Sequence, residues 1–276
     1  MREHGGQPIG VFDSGVGGLT VVRELWRRLP GESVVYFGDT ARVPYGSKSP
    51  ATVCRYASEA ARFLLSRGVK MIIVACNTAT AHAVERLRAE LGVPVVGVIE
   101  PGARAAVRAT RTGRIAVLGT AGTIASRAYE REIQRLSPSA AVLGQACPLF
   151  VPLVEEGWAD HAATRLIARE YLEPVRRFGA DVVILGCTHY PLLRPIIAEC
   201  LGDGVKLVDS AAETALDAER VLRDARLLER QARPRPQHRF FVSDSPERFL
   251  EVARSFIGDL GGEVELVDVD GYDRAA

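Results

Sequence analysis

Short apolar runs and amphipathic stretches alternate along almost the whole chain. Ile9 to Phe12 has the character of a buried strand. Leu19, Val22, Leu25, Trp26 and Leu29 then recur at helical spacing until Pro30-Gly31 stops them. Ser33 to Phe37 predicts a second strand. Ser49-Pro50 predicts an N-cap with proline at the first helical position, opening a helix that ends at Gly68. Val69 to Ala75 is an apolar run of the kind found in parallel sheets covered on both faces. A helix over 78–91 and a strand over 93–99 follow. Glu100-Pro101-Gly102 reads as a break, after which the pattern restarts. It predicts strands over 114–119, 141–145, 182–186 and 206–208, with helices over 125–136, 149–156, 161–178, 192–200 and 211–230. Gln231 to Pro236 reads as a linker before a strand over 239–242, a helix over 245–260 and a last strand over 264–267.

Alternation of this kind predicts an α/β fold with mostly parallel sheets. Two internal echoes refine it. Val69 to Thr78 resembles Asp181 to His189: a buried strand, then cysteine, then small polar residues. Ile9 to Gly18 resembles Ile115 to Gly122: strand, small polar residues, glycines, helix. Two similar α/β domains related by pseudo-two-fold symmetry, facing each other across a cleft, explain both. The length, 276 residues, accommodates two such domains.

Composition removes several functions. Apolar residues make up 47% and charged residues 25%, an ordinary globular balance. A net charge of +1 gives no field that would attract nucleic acid or an anionic membrane. No apolar run approaches the roughly 20 residues that span a bilayer. Met1 to Gln7 is polar and lacks the apolar core of a secretion signal. Five cysteines are too few and too scattered for a disulfide scaffold, which fits a reducing compartment such as the cytoplasm. No Gly-Lys-Ser/Thr is present, which excludes a P-loop. Only Lys48, Lys70 and Lys206 are lysines, and none sits at a strand end suited to a pyridoxal Schiff base.

Three places carry candidate chemistry. The turn Asp13-Ser14-Gly15-Val16-Gly17-Gly18 misses the dinucleotide spacing; it is a tight turn or a helix N-terminus that receives a carboxylate. Cys76 and Cys187 each follow a buried strand, where parallel α/β folds place ligands. A helix N-terminus there lowers a thiol's pKa. Two matched thiols suit proton transfer on both faces of a stereocentre. A metal site on Cys76, Cys187, His189 and Asp13 is the rival, though no ligand-spacing motif supports it. A cleft that binds without chemistry is another, and it needs no matched bases. Cys54, Cys147, Cys200, His82, His161 and His238 read as packing or surface residues.

In order along the chain stand Ile9-Gly-Val-Phe-Asp-Ser-Gly-Val-Gly-Gly-Leu19, Tyr36-Phe-Gly-Asp-Thr-Ala-Arg-Val-Pro-Tyr-Gly46, Ala75-Cys-Asn-Thr-Ala79, Gly97-Val-Ile-Glu-Pro101, Leu118-Gly-Thr-Ala-Gly-Thr123, Gly186-Cys-Thr-His-Tyr-Pro-Leu192 and Val208-Asp-Ser-Ala211. Together they resemble the glutamate racemases of the aspartate/glutamate racemase superfamily, over nearly the whole chain. The resemblance implies cofactor-independent interconversion of L- and D-glutamate, supplying D-glutamate for peptidoglycan. It implies Cys76 as the base toward D-glutamate, assisted by Asp13, and Cys187 as the base toward L-glutamate, assisted by Glu155 and His189. The register of the match favours Glu155 over Glu156. Ser14, Pro44, Tyr45, Gly46, Asn77, Thr78, Thr120, Thr188 and His189, with Asp13, would hold the substrate. It further implies a discontinuous first domain of residues 1–99 and 210–276, a second of 100–209, no metal, no nucleic-acid or membrane partner, and a homodimer. Asp13 could instead only cap the helix that follows it, and His189 only satisfy a backbone carbonyl.

Overall fold

The computed structural model describes residues 6–229 and 236–269. Most of the leader at Met1 to Gln7 and of the linker at Gln231 to Pro236 lies outside them. Ten strands run in chain order: β1 (Ile9–Asp13), β2 (Val34–Gly38), β3 (Met71–Val74), β4 (Val95–Gly97), β5 (Arg114–Gly119), β6 (Ala141–Ala146), β7 (Val182–Gly186), β8 (Lys206–Asp209), β9 (Arg239–Val242) and β10 (Val264–Leu266). They form two sheets. One has the order β10-β9-β2-β1-β3-β4, the other β6-β5-β7-β8. Every pairing in both is parallel. The order β2-β1-β3-β4 repeats as β6-β5-β7-β8, so the internal echo in the sequence is an echo of topology. The first sheet is extended by two strands from the end of the chain.

The central strands are apolar throughout because both faces are covered. Every residue of β1, β2, β3 and β7 is buried. In each sheet the chain leaves the central strand to one side, then crosses to the other. The switch points are therefore β1/β3 and β5/β7, where strand ends open a crevice for a ligand. One continuous core joins the two sheets, from Leu19 and Tyr36 to Cys187, Tyr190, Ala211 and Phe256.

Three helical expectations away from the strand-end turns change. Ile99–Ala109 is a helix (α4), although Glu100-Pro101-Gly102 reads as a break. Pro101 lies in the first turn, where a missing N–H leaves no bond unmade. A Cβ on Gly102 would lie 3.3 Å from Ser210 Cβ, so the glycine lets the helix pack closely. The helix expected over 125–136 is two pieces, α5 (Ala121–Ala125) and α6 (Ala128–Leu136). Arg127 between them is left-handed, and the Ser126 hydroxyl donates to Thr123 O and accepts from Ala128 N–H. The long helix α10 spans Ser210–Asp224 and stops before Arg230, which lies outside the described residues. Asp209 caps it, accepting from Ala211 N–H at 2.9 Å. It packs against both α1 (Leu19–Arg28) and α4 and so ties one sheet's helices to the other's.

Candidate active site

The site is assembled at the C-terminal ends of β1, β3, β5 and β7. Asp13 closes β1 and is fully buried. Its Oδ2 accepts from Gly15 N–H at 3.1 Å, and Tyr36 Oη donates to Gly15 O at 2.7 Å, which pins the turn. Burial pushes the Asp13 carboxyl above its ordinary range, opposed by the nearby His189 and by backbone N–H groups of the turn. The glycines serve close approach. A Cβ on Gly17 would sit 2.2 Å from Thr188 Oγ1 and 2.6 Å from His189 Nδ1; one on Gly18 would sit 2.6 Å from Asp13 Cβ. Only a bare backbone lets the β1 turn meet the β7 turn.

Cys76 follows β3 as the N-cap of α3 (Asn77–Glu90). Its Sγ accepts from Ala79 N–H at 3.4 Å and lies 3.7 Å from Ser14 Oγ. The helix N-terminus favours the thiolate, as the sequence predicts, but it does not win. Burial, then the Asp13 carboxylate, push the Cys76 thiol up to about 12. Cys187 adds to the rise, so a thiolate at one cysteine disfavours a thiolate at the other.

Cys187 follows β7 and meets a different neighbour. A 3₁₀ turn over Tyr190–Leu193 precedes α9 (Arg194–Leu201), in place of a single helix from about Leu192. Cys187 Sγ lies 4.0 Å from His189 Nδ1, and His189 Nε2 lies 2.8 Å from Glu155 Oε1. Glu155 ends α7 (Phe150–Glu155). Burial opposes the imidazolium most strongly, yet Cys187 and Glu155 together raise His189 to about 10. The imidazole sits between the Cys187 thiol and the Glu155 carboxylate. His189 is thus held by side chains rather than by a backbone carbonyl.

A cavity of about 20 Å³ lies between the two cysteines, walled also by Ser14, Thr188 and His189. Pro44, Tyr45 and Gly46 close one side, and Asn77, Thr78 and Thr120 another. All the sequence-predicted substrate residues except Asp13 therefore meet in its wall; Asp13 does not line the cavity and reaches it through Thr188. Two valines, Val43 and Val151, join the lining without a sequence signal. A larger apolar pocket, about 250 Å³, shares Val43, Pro44, Gly46, Thr120 and Val151 with the cavity and is lined by Glu155.

The polar groups of the wall are not equally available. Tyr45 Oη donates to Asp39, which also accepts from Arg42 and Ser243, so the hydroxyl expected to hold substrate is engaged. The Thr78, Thr120 and Thr123 hydroxyls form a triangle with sides of 2.9–3.1 Å. Thr188 Oγ1 lies 3.5 Å from Asp13 Oδ1. Asn77 differs: its Nδ2 is buried and has no partner. A buried donor left unpaired costs about 1–3 kcal/mol, so on a residue that lines the cavity it suits an arriving acceptor. Among the described residues no group of three or more His, Cys, Asp or Glu side chains is placed to hold a metal ion. No helix there is long and apolar enough to cross a membrane.

Comparison with known proteins fits this geometry. The profile of the Asp/Glu/Hydantoin racemase family matches residues 9–218. The chain is 54% identical to the glutamate racemase of Geobacter metallireducens over 95% of its own length and 97% of that protein's. It superposes on a glutamate racemase of Bacillus anthracis with a TM-score of 0.91 and 41% identity, covering 96% and 98% of the two chains. The glutamate racemase of Francisella tularensis, solved with D-glutamate, gives a TM-score of 0.91 at 38% identity, covering 97% and 99%. The chain belongs to the Asp/Glu/Hydantoin racemase family, among its glutamate racemases, and is an isomerase acting on amino acids.

Proposed function

We propose that this chain interconverts L- and D-glutamate by a two-base mechanism on Cys76 and Cys187. One observation carries it: the two thiols stand at corresponding strand ends of two like sheets and wall the same small cavity. A thiolate at Cys76 takes the α-proton of D-glutamate. The thiol at Cys187 delivers its own proton to the opposite face, giving L-glutamate and leaving the thiolate at Cys187. The reverse reaction returns the protons. The mutual repulsion of two thiolates keeps one cysteine protonated, as this exchange requires. Asp13, made more basic by burial, shares the Cys76 proton; His189, braced by Glu155, stabilises the Cys187 thiolate. Ser14, Gly46, Asn77, Thr78, Thr120 and Thr188 hold the substrate, with Pro44 and Tyr45 shaping the wall. The weakly acidic α-proton yields because buried dipoles face the carbanion-like transition state in a closed cavity.

The product serves peptidoglycan synthesis in the cytoplasm, and the protein works as a homodimer, as the family resemblance implies. Residues 1–99 and 210–276 form the first domain and 100–209 the second; the division of strands between the sheets supports it. The test is optical. Metal-free and pyridoxal-free protein incubated with L-glutamate should carry the circular dichroism signal to zero. A flat trace on glutamate and decay on another diacid would reassign the substrate. In D₂O, product should carry α-deuterium while the remaining substrate stays protiated at early times.

A further inference from the structure

Asn77 Oδ1 accepts a hydrogen bond from Tyr129 Oη at 2.7 Å, across 52 residues of chain and from one sheet's helices to the other's. Tyr129 is on α6, and its phenol lies near Ser210 at the start of α10: a Cβ on Gly102 would touch both. We propose that Tyr129 is a positioning residue that fixes the Asn77 amide with its Nδ2 toward the substrate's carboxylate; the inference rests on the racemase activity proposed above and deepens it.

An asparagine amide is nearly symmetric in shape, and either end fits a given slot. A phenol both donates and accepts, but it has one proton to place. That proton is donated to Asn77 Oδ1, so Asn77 presents its oxygen to Tyr129. The NH₂ end is then left buried and unpaired, on a residue that lines the cavity. Burial keeps the phenol protonated, because it raises the Tyr129 pKa well above neutrality. The three residues come from three elements, and room for them is made by Gly102, whose Cβ would press on both Ser210 and the Tyr129 ring at 3.3–3.4 Å.

Tyr129→Phe keeps the ring and removes the choosing proton. Its kcat/KM should fall about tenfold or more, the scale of one misdirected buried hydrogen bond. The fall should be the same from L- and D-glutamate, since the enantiomers have equal free energy. In an Asn77→Ala background, Tyr129→Phe should change nothing further, because the group it orients is gone. A loss that adds in full to that of Asn77→Ala marks plain packing and overturns the proposal, as does wild-type kcat/KM in Tyr129→Phe. If wild-type protein leaves glutamate unchanged, the proposed function falls instead. The Asn77 side-chain amide signals in a ¹⁵N–¹H spectrum still decide the orientation: they should move in Tyr129→Phe, and unmoved signals reject the role of Tyr129.

Discussion

Cys76 and Cys187 occupy corresponding strand ends, and their surroundings solve the same problem with opposite charges. Cys76 caps a helix and faces a buried carboxylate, Asp13, which pushes its thiol up. Cys187 faces an imidazole, His189, whose proton is held more tightly because Cys187 and Glu155 flank it. The topology is repeated and the electrostatics are not. A protein that moves a proton between two sulfurs needs them alike in reach, because the stereocentre lies between them. It gains from unlike neighbours, because one sulfur must be a thiol whenever the other is a thiolate. Asp13 favours the thiol at Cys76, while the group beside Cys187 is a cation, so the frame sets the two sulfurs in unlike fields.

The strongest way to break the comparison is to replace each sulfur in turn. Cys76→Ser and Cys187→Ser should each lower racemisation by about 10²–10⁴-fold, with thermal midpoints close to wild type. Near-wild-type racemisation in either variant would end the two-base assignment. A smaller effect sharpens the asymmetry. Asp13→Asn and His189→Gln should each lower kcat by about ten- to hundredfold. The α-deuterium isotope effect should grow from D-glutamate in the first and from L-glutamate in the second. Equal growth from both substrates in both variants would mean that the two assistants serve one shared step.

The smallest effect is on stability, and its sign differs between the two sides. His189 binds its proton more tightly in the folded protein, so the stabilisation it brings is complete below about pH 6.5 and drains away toward about pH 10. The midpoint advantage of wild type over His189→Gln, a few degrees, should therefore shrink across that window. Asp13 is the reverse: its carboxyl is raised by burial, so its charge is a burden above its ordinary value of 3.8. Asp13→Asn should melt slightly higher than wild type at neutral pH and lose that gain in acid. Scanning calorimetry of the three proteins across pH reads both trends.

Much of the fold is legible in the sequence because buried parallel strands are short, apolar and β-branched. The two cysteines are legible for the same reason: each interrupts the end of such a run. Helix α4 is not, because Pro101 and Gly102 punctuate most chains and only the tertiary approach of Ser210 and Tyr129 shows why they are tolerated here. The break at Arg127 rests on a left-handed residue that no periodicity announces. Within the site, residue types named from motifs gather as expected, but their bonding is tertiary. Nothing local to Tyr45 says that its hydroxyl is taken by Asp39, and nothing near Asn77 points to Tyr129. The downward pull of a helix N-terminus on Cys76 is a local rule that burial and a buried carboxylate overrule.

The cavity between the cysteines, about 20 Å³, has room for about one water molecule and far too little for a dicarboxylic amino acid. For the proposed reaction its walls must part to admit the substrate and then close around it. The affinity of any ligand is then the difference between what it gains inside and what that opening takes. A flexible molecule that carries an apolar tail into the adjoining pocket of about 250 Å³ would wedge the door while it occupied the room.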